Sequence, residues 1–348
     1  LEVSKTMATH SPDGVSEPEE TADPWHGAAR LRARVVPPTF PDRDFDLTSF
    51  GAVGDGEADC TGAFRRAVLA CAKAGGGHVV VPVGRFLTGP IRLISNVDLH
   101  VTAGATIAFS PDPQRYLPPV RTRFEGTELL GYSPLVAAFG QRTIAVTGAG
   151  TLDGQADSRH WWPAKGLPEY GWHPDLPAQH GDIDRLRELA EAGTPVDQRV
   201  FGVGSQLRPS FIQPYQCRNV LIDGVTVVNS PMWVIHPVLC ERVLVRGVTV
   251  ASHGPNNDGC NPESCRDVVI RDCVFDTGDD CIAIKSGRNA DGRRMNVPSE
   301  RILVEDCEFR AGHGGVTVGS EISAGVRSVF AQRLQMTSPA LDVALRFK

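Results

Sequence analysis

The chain has 348 residues, 41% of them hydrophobic, and a formal net charge of −6, which are ordinary values for a globular protein. An acidic chain without a basic cluster argues against general nucleic-acid binding. No stretch reaches the roughly 20 apolar residues of a membrane span. The 36 Gly and 26 Pro residues favour many turns over long helices.

The first segment of the chain is Pro-rich, charged and aperiodic. We therefore expect a flexible N-terminal arm over 1–43 and a single domain over 44–348. The opening residues are polar and contain no apolar core typical of a signal peptide, which leaves the compartment undetermined and favours the cytoplasm.

A helical pattern follows the arm. Apolar residues recur at helical spacing between Ala63 and Cys71, after the cap candidates Asp59 and Thr61 and before a run of three glycines. This pattern predicts one short helix of about 12 residues at the N-terminal end of the domain. The buried strand VVVP comes next.

The rest of the chain is dominated by a repeat. Five segments align, each with a polar turn, an alternating strand and a second short strand, and their anchor positions are separated by 23, 25, 34 and 27 residues. These anchors are Asn219, Arg242, Asp267, Arg301 and Ser328. A period near 23 residues without helices is typical of a β-solenoid, in which one residue per coil lines up in a column. The sequence therefore predicts an all-β, right-handed parallel β-helix.

Two stretches interrupt the repeat. A loop is expected over 288–300, and a larger insertion with a helix-like segment is expected over about 155–207. Excursions of this kind from a solenoid wall usually form the rims of a binding cleft.

Nine cysteines are present, an odd number that cannot all pair within the chain. Their spacing lacks CxxC pairs, which argues against a zinc site. We expect small, buried and reduced side chains.

The polar residues of interest lie where repeats end. Asp279 and His313 each come 12 residues after their anchors and should occupy the same angle on successive coils. Asp258 and Arg346 come 16 and 18 residues after theirs, so they need longer turns to reach the same column. Asp280 follows Asp279 directly.

Three neighbouring carboxylates would raise at least one pKa, and a glycosidase needs both a protonated and an ionised carboxyl group. Each aspartate alone could equally form a simple turn, and His313 between two glycines could be a capped turn histidine instead of a residue that ligand approaches. Arg346 and Lys348, two apart on a strand, would bind a sugar carboxylate or face solvent. Lys285 has the same two alternatives.

These residues resemble the motifs of glycoside hydrolase family 28, the polygalacturonases and their relatives. The family's motifs are Asn-x-Asp, Gly-Asp-Asp, Gly-His-Gly and Arg-x-Lys, in that order. Here they read Asn256-Asn257-Asp258, Gly278-Asp279-Asp280, Gly312-His313-Gly314 and Arg346-Phe347-Lys348. The likeness covers about residues 45–348, including an entry segment that resembles the N-terminal cap of pectin-degrading β-helices.

The resemblance implies hydrolysis of galacturonosidic bonds with inversion, without a metal or cofactor, on a pectic substrate. Asp279 would be the general acid and His313 would support its protonation state. Asp258 and Asp280 would position and deprotonate water. Substrate binding would fall to Arg346 and Lys348, which hold the substrate carboxylate, together with Asn256 and Lys285.

Other segments resemble the bacterial, exo-acting branch of the family, and the large insertion would suit a closed-ended cleft. Family members usually continue past Arg-x-Lys, so we expect that C-terminal coils are missing after Lys348. The alternatives are a rhamnogalacturonan or xylogalacturonan hydrolase on the same scaffold, a pectate lyase, which needs calcium and an arginine base, and a non-catalytic carbohydrate-binding β-solenoid. Oligomeric state is undetermined.

Overall fold

The computed structural model describes residues 25–348, and its strands wind into three parallel sheets that run the length of the molecule. This is the predicted right-handed parallel β-helix. Each coil contributes one strand or bridge to each sheet, so that residues of successive coils stack at about 4.8 Å. The stacking brings chain positions more than 20 residues apart into contact.

Two sheets have nine strands each. The first contains β1 Asp44–Asp46, β3 Gly77–Val81, β6 Val97–Val101, β11 Arg142–Gly148, β14 Arg218–Asp223, β16 Glu241–Arg246, β18 Arg266–Arg271, β21 Ser299–Glu305 and β24 Val326–Gln332. The second contains β2 Asp55–Asp59, β4 Gly84–Thr88, β7 Ala105–Phe109, β12 Thr151–Asp153, β15 Thr226–Val228, β17 Thr249–Ser252, β19 Val274–Thr277, β22 Glu308–Gly312 and β25 Ala340–Leu341.

The third sheet carries the residues of greatest interest. Its strands are β5 Ile91–Arg92, β10 Val136–Phe139, β13 Ile212–Tyr215, β20 Ile282–Ile284, β23 Val316–Val318 and β26 Leu345–Phe347. Single bridges at Ile235 and Cys260 connect β13 to β20, so the face is continuous. Its residues alternate between the core and an outer face, as in any strand.

Helices and one hairpin lie outside the three sheets. The α-helices are α1 Trp25–Arg34, α2 Thr61–Lys73, α3 His180–Glu191 and α4 Asn289–Met295. Short 3-10 helices span Leu47–Phe50, Pro113–Tyr116, Trp162–Lys165, Pro168–Tyr170 and Val196–Gln198. The hairpin pairs β8 Val120–Phe124 with β9 Thr127–Gly131. None of the helices within 25–348 is long and apolar enough to cross a membrane.

The repeat anchors stack at one corner of the solenoid. All five have positive φ, between 55 and 58°, and the residues that precede them pair in register from coil to coil. A left-handed residue at the same position of each coil gives the same turn into the first sheet. The predicted repeat and its register are therefore confirmed.

The core lies between the sheets, and α2 covers its N-terminal end. The predicted helix runs over Thr61–Lys73, and its apolar stripe from Ala63 to Cys71 is buried in the main core cluster. The cap candidates Asp59 and Thr61 flank the actual N-cap, Cys60, which makes no side-chain cap hydrogen bond; the Asp59 carboxylate accepts hydrogen bonds from the backbone N–H and hydroxyl of Thr61, the first residue of the helix. All nine cysteines are buried and free, which confirms the prediction for them.

The prediction of a flexible arm over 1–43 is wrong for its second half. Residues 25–34 form α1, whose Ala28 and Leu31 pack on an apolar stripe outside the first sheet. Arg32 forms an ion pair with the buried Glu305. The polar composition of the segment gave no sign of a buried helix, because the apolar residues that Ala28 and Leu31 contact lie on separate strands that come together only when the coils stack. Residues 1–24 of the expected arm lie outside the described part of the chain.

Three excursions gather over the third sheet. The expected insertion leaves the coil after β12, carries α3 at its helix-like segment, and returns at β13. The expected loop at 288–300 holds α4. The β8–β9 hairpin has no counterpart in the sequence predictions. An ion pair of 2.9 Å between Arg199 and Asp291, both buried, joins the insertion to α4.

Candidate active site

Asp258 and Asp280 occupy equivalent positions on adjacent coils, each two residues before the third sheet begins. The N–H of Gly259 donates to the carbonyl of Asp280 at 3.0 Å, and Cys260 bridges to Ile282 just beyond. Asp258 therefore lies in the same column of coils as the Asp279–Asp280 pair, which the sequence analysis expected only if a longer turn preceded it. Coil stacking, not proximity in sequence, places these carboxylates side by side.

His313 lies one coil after Asp279, in the register that its spacing predicts. Its N–H donates to the Asp279 carbonyl at 3.1 Å, and its ring Nδ1 lies 3.1 Å from Asp279 Oδ1. Gly312 and Gly314 were expected to let a ligand approach His313, but they are required instead by close contact with the preceding coil. A Cβ at Gly314 would lie 2.8 Å from Asp280 Oδ1, and one at Gly312 would lie 2.6 Å from the Asp279 carbonyl oxygen. The glycines let successive coils approach around the carboxylates.

Two cations close the other side of the aspartates. The charged groups of Arg346, in β26, and of Lys348, directly after it, lie against Asp280, although both side chains remain partly exposed. Lys348 Nζ lies 2.6 Å from Asp280 Oδ2, and an Arg346 guanidinium nitrogen lies 3.4 Å from Oδ1. The structure thus brings together the three aspartates, His313 and both cations.

The three carboxylates differ in exposure, and Asp258 and Asp279 differ in proton affinity. The side chains of Asp258 and Asp280 are 4% and 1% exposed, whereas that of Asp279 is 18% exposed. Burial, followed by the charge of Asp279, raises the pKa of Asp258 well above its usual range.

Asp279 is perturbed in the opposite direction. Burial alone would raise the pKa of Asp279, but the hydrogen bond and charge of His313 and the charge of Lys348 outweigh it and lower that pKa. The same hydrogen bond raises the pKa of His313. In the empty cleft, protonated His313 therefore favours ionised Asp279, the reverse of the supporting effect that the family resemblance implies.

Lys285 does not lie where a substrate-binding residue was expected. It is 3% exposed, and its ammonium donates to Glu321 at 2.9 Å and to the Gly319 carbonyl at 3.1 Å. It also lies 3.7 Å from Asp258 and 4.4 Å above the ring of Trp233. Burial favours the neutral form of Lys285, but the charges of Glu321 and Asp258 outweigh burial and raise the pKa of Lys285. The charge of Lys285 in turn helps to lower the pKa of Glu321 to about 2. Lys285 is thus a buried support beneath Asp258.

Asn256 joins the insertion to the aspartates. Its side-chain oxygen accepts hydrogen bonds from Lys165 at 2.9 Å and from the buried Arg208 at 2.8 Å. Arg208 also donates to the Pro255 carbonyl at 2.7 Å. The insertion therefore stands directly beside the loop that holds Asp258, as a wall at one end of the site.

Several residues of this site were missed by sequence reasoning. Lys165 and Tyr170 come from the insertion, and the charge of Asp279 perturbs the pKa of both. Burial, followed by the charge of Arg208, lowers the pKa of Lys165. The insertion has no repeat register, so no spacing could have assigned these residues to the aspartates. Glu321 lies in GSEISAGV, one of the segments that resemble the exo-acting branch, but the sequence analysis assigned no role to Glu321 itself.

The arrangement can perform acid–base chemistry on an anionic substrate. It combines carboxyl groups of unequal proton affinity, a histidine that can exchange a proton with one of them, and two cations that could hold a carboxylate.

Comparison with known proteins gives consistent results. The family model "Glycosyl hydrolases family 28" matches residues 200–343. The chain is 30% identical over 319 residues to an exo-poly-alpha-D-galacturonosidase of Dickeya chrysanthemi, covering 87% of this chain and 51% of that protein. It is 29% identical over 297 residues to a probable polygalacturonase of Vitis vinifera, covering 82% and 53%. The chain spans about half the length of these two relatives.

A solved structure extends the likeness over most of both chains. The crystal structure of a hyperthermoactive exopolygalacturonase from Thermotoga maritima superposes with a TM-score of 0.90 at 53% identity. The superposition covers 92% of this chain and 72% of that one. With the motif residues assembled as described, the chain belongs to glycoside hydrolase family 28.

Proposed function

We propose that this protein hydrolyses α-1,4-galacturonosidic bonds of pectic polygalacturonate with inversion, and that it removes galacturonate units from chain ends. The observation that carries the proposal is the cluster of Asp258, Asp279 and Asp280 between His313 and the Arg346–Lys348 pair. The similarity to an exopolygalacturonase at 53% identity supports the substrate class.

Asp279 is the proposed general acid because it is the least buried of the three aspartates and can reach a glycosidic oxygen. Its proton is held on His313 while the cleft is empty, where the raised pKa of His313 retains it. The proton moves from His313 Nδ1 to Asp279 Oδ1 across their 3.1 Å contact and then to the leaving oxygen.

Substrate binding itself favours this transfer. A galacturonate carboxylate bound by Arg346 and Lys348 neutralises their charge. Because the charge of Lys348 is one of the causes that lower the pKa of Asp279, neutralising it raises that pKa and brings the proton to Asp279. Binding of the anionic substrate thus favours the protonated form of Asp279, which is the form that acts as the general acid.

Asp280, with Asp258 beside it, positions a water molecule and accepts its proton as the water oxygen bonds to the anomeric carbon from the opposite face. The bond from the anomeric carbon to the leaving oxygen breaks in the same step, so the configuration inverts. Lys285 supports this step from below by fixing the Asp258 side of the pair.

The exo-acting mode is supported by the wall that the insertion forms. Lys165 and Arg208 bind Asn256 beside the aspartates. Beside it, the buried Glu263 forms ion pairs with His236 of the preceding coil and with Arg123 of the β8–β9 hairpin. A chain end fits against this wall, whereas a continuous polymer does not pass it.

Product analysis tests the proposal. The full chain is incubated with long polygalacturonate, with rhamnogalacturonan and with xylogalacturonan, and products are separated by anion-exchange chromatography. We expect early release of short terminal products from polygalacturonate, without ultraviolet absorbance from an unsaturated sugar. An early spread of mid-length oligomers with rapid loss of viscosity would contradict the exo mode. Faster cleavage of rhamnogalacturonan or xylogalacturonan would contradict the substrate.

A further inference from the structure

The outer face of the third sheet carries a second cluster of polar and aromatic residues, on coils that precede those of the aspartates. In β5, β10 and β13, Arg92, Ala137 and Gln213 pair in register and occupy the same column of the sheet that ends in Arg346. Seven coil steps of about 4.8 Å separate Arg92 from Arg346, so they lie roughly 34 Å apart. Between them the column passes through the buried His236 and Asn261.

A cavity of about 420 Å³ lies at the Arg92 end of this column. This is the size of pockets that hold small ligands. Its main lining residues are Arg92, Arg121, Ser133, Phe139, Gln213 and Tyr215. The hairpin strand β8 forms one side and the sheet forms the floor, so the pocket is distinct from the catalytic cleft.

The charge of this pocket is positive. Within residues 25–348, Arg92 is exposed and has neither a hydrogen bond nor an ion pair. Arg121 lies 3.1 Å from Glu128, but this carboxylate also binds Arg294 and the hydroxyl of Tyr215. The single carboxylate of Glu128 thus accepts contacts from three donors. The positive charge of Arg92 and Arg121 is therefore not fully neutralised, and the pocket can bind an anion.

The floor of the pocket is rigid and flat. Phe139 stacks on Tyr215 with ring centroids 5.2 Å apart and an interplanar angle of 22°. Gln213 is buried, and its side-chain oxygen accepts a hydrogen bond of 2.6 Å from Thr122. An apolar surface beside two guanidinium groups is complementary to a sugar ring that carries a carboxylate.

We propose that this pocket is a second carbohydrate site, which binds one uronate unit of a pectic chain with Arg92 and Arg121 on its carboxylate. The ligand class rests on the proposed function, whereas the site itself does not. The buried layer of Arg123, His236 and Glu263 separates it from the cleft. It therefore holds a different part of the polymer and raises the local concentration of chain ends.

The test is a calorimetric titration of trigalacturonate into the full chain carrying Asp279→Asn, which should slow turnover by roughly 10²- to 10⁴-fold. We expect two classes of site. Adding Arg92→Gln should weaken the second class by about tenfold or more, since a charge-assisted contact is lost, and should leave the first unchanged. The matched control is Arg65→Gln, an exposed arginine on α2, which should change neither class. Fully methyl-esterified trigalacturonate should not fill the second class.

A single class of site, or a second class that Arg92→Gln leaves intact, would overturn the proposal. Failure of the proposed function gives a different result. In that case the chain would not release galacturonate from any pectic substrate, while Arg92-dependent binding of trigalacturonate would remain. The Arg92→Gln change in the otherwise unaltered protein should leave hydrolysis of the short trimer unchanged and slow hydrolysis of the polymer.

Discussion

His313 Nδ1 lies 3.1 Å from Asp279 Oδ1 across the step between two coils, and the pair is perturbed in opposite directions. Their hydrogen bond raises the pKa of His313 and lowers that of Asp279. The contact therefore stores a proton beside the carboxyl group that is proposed to donate it.

Replacing His313 tests this proton store. In the His313→Gln variant Asp279 loses the contact that lowers its pKa, but no imidazole with a raised pKa remains to hold the proton, so the basic limb of kcat/KM should move to lower pH. The maximum rate should fall by roughly 10²-fold or more, the size of a general-acid contribution. The control is His253→Gln, whose histidine lies 3.0 Å from the surface residue Asp276. A basic limb unchanged by His313→Gln would contradict the proposed store.

Asp258 should destabilise the folded protein when it is ionised. Its pKa is raised by folding, so the protonated form is favoured, and ionising the buried group costs free energy above the unfolded pKa of about 3.9. Asp258→Asn should therefore increase the free energy of unfolding by roughly 1 kcal/mol at pH 7, with a gain that disappears below about pH 4. Thermal unfolding at both pH values measures this. An equal or lower Tm at pH 7 would contradict the burial argument.

Lys285 and Glu321 should act as a unit. Lys285→Met leaves Glu321 buried with Arg288 as its remaining ion-pair partner, and breaking a buried pair costs about 3–5 kcal/mol. In the double variant with Glu321→Gln, part of this loss should be recovered. Urea unfolding of the four members of the cycle gives the coupling energy, with Lys73→Met as an exposed control. Additive losses would show that the two residues do not support each other.

Arg346 should determine the preference for an acidic sugar. Arg346→Gln removes a guanidinium group next to Asp280, so kcat/KM for trigalacturonate should fall about tenfold or more, whereas that for its methyl ester should change little. The control is Arg310→Gln, an exposed arginine paired with Glu308, which should change neither value. An equal loss on both substrates would contradict carboxylate recognition by Arg346.

The coil register could be predicted from sequence because the same left-handed corner recurs in each repeat. Asn219 and its equivalents mark that corner, and counting from it placed His313 against Asp279. The β8–β9 hairpin and the position of the insertion could not be predicted, because neither follows the repeat. Their contacts, such as Arg199 with Asp291, join segments about 90 residues apart.

Burial and side-chain direction were the other limits. Lys285 follows Asp280 closely in sequence, yet its ammonium points beneath the cleft because Glu321, on the next coil, provides a buried partner. Residues 25–34 looked like part of an arm, since their apolar face is short and its partners belong to five different strands. In both cases the decisive contact is made only after the coils stack.

The most direct test of the account is hydrolysis of polygalacturonate by the Asp279→Asn variant, compared with Asp276→Asn. Both changes are nearly isosteric and lie three residues apart, but Asp276 is on the outer surface beside His253. Release of reducing sugar is measured at the optimum pH of the unaltered protein. We expect Asp279→Asn to lower the rate by roughly 10²- to 10⁴-fold and Asp276→Asn to leave it within about twofold. A rate for Asp279→Asn close to that of the unaltered chain would contradict the assignment of Asp279 as the acid.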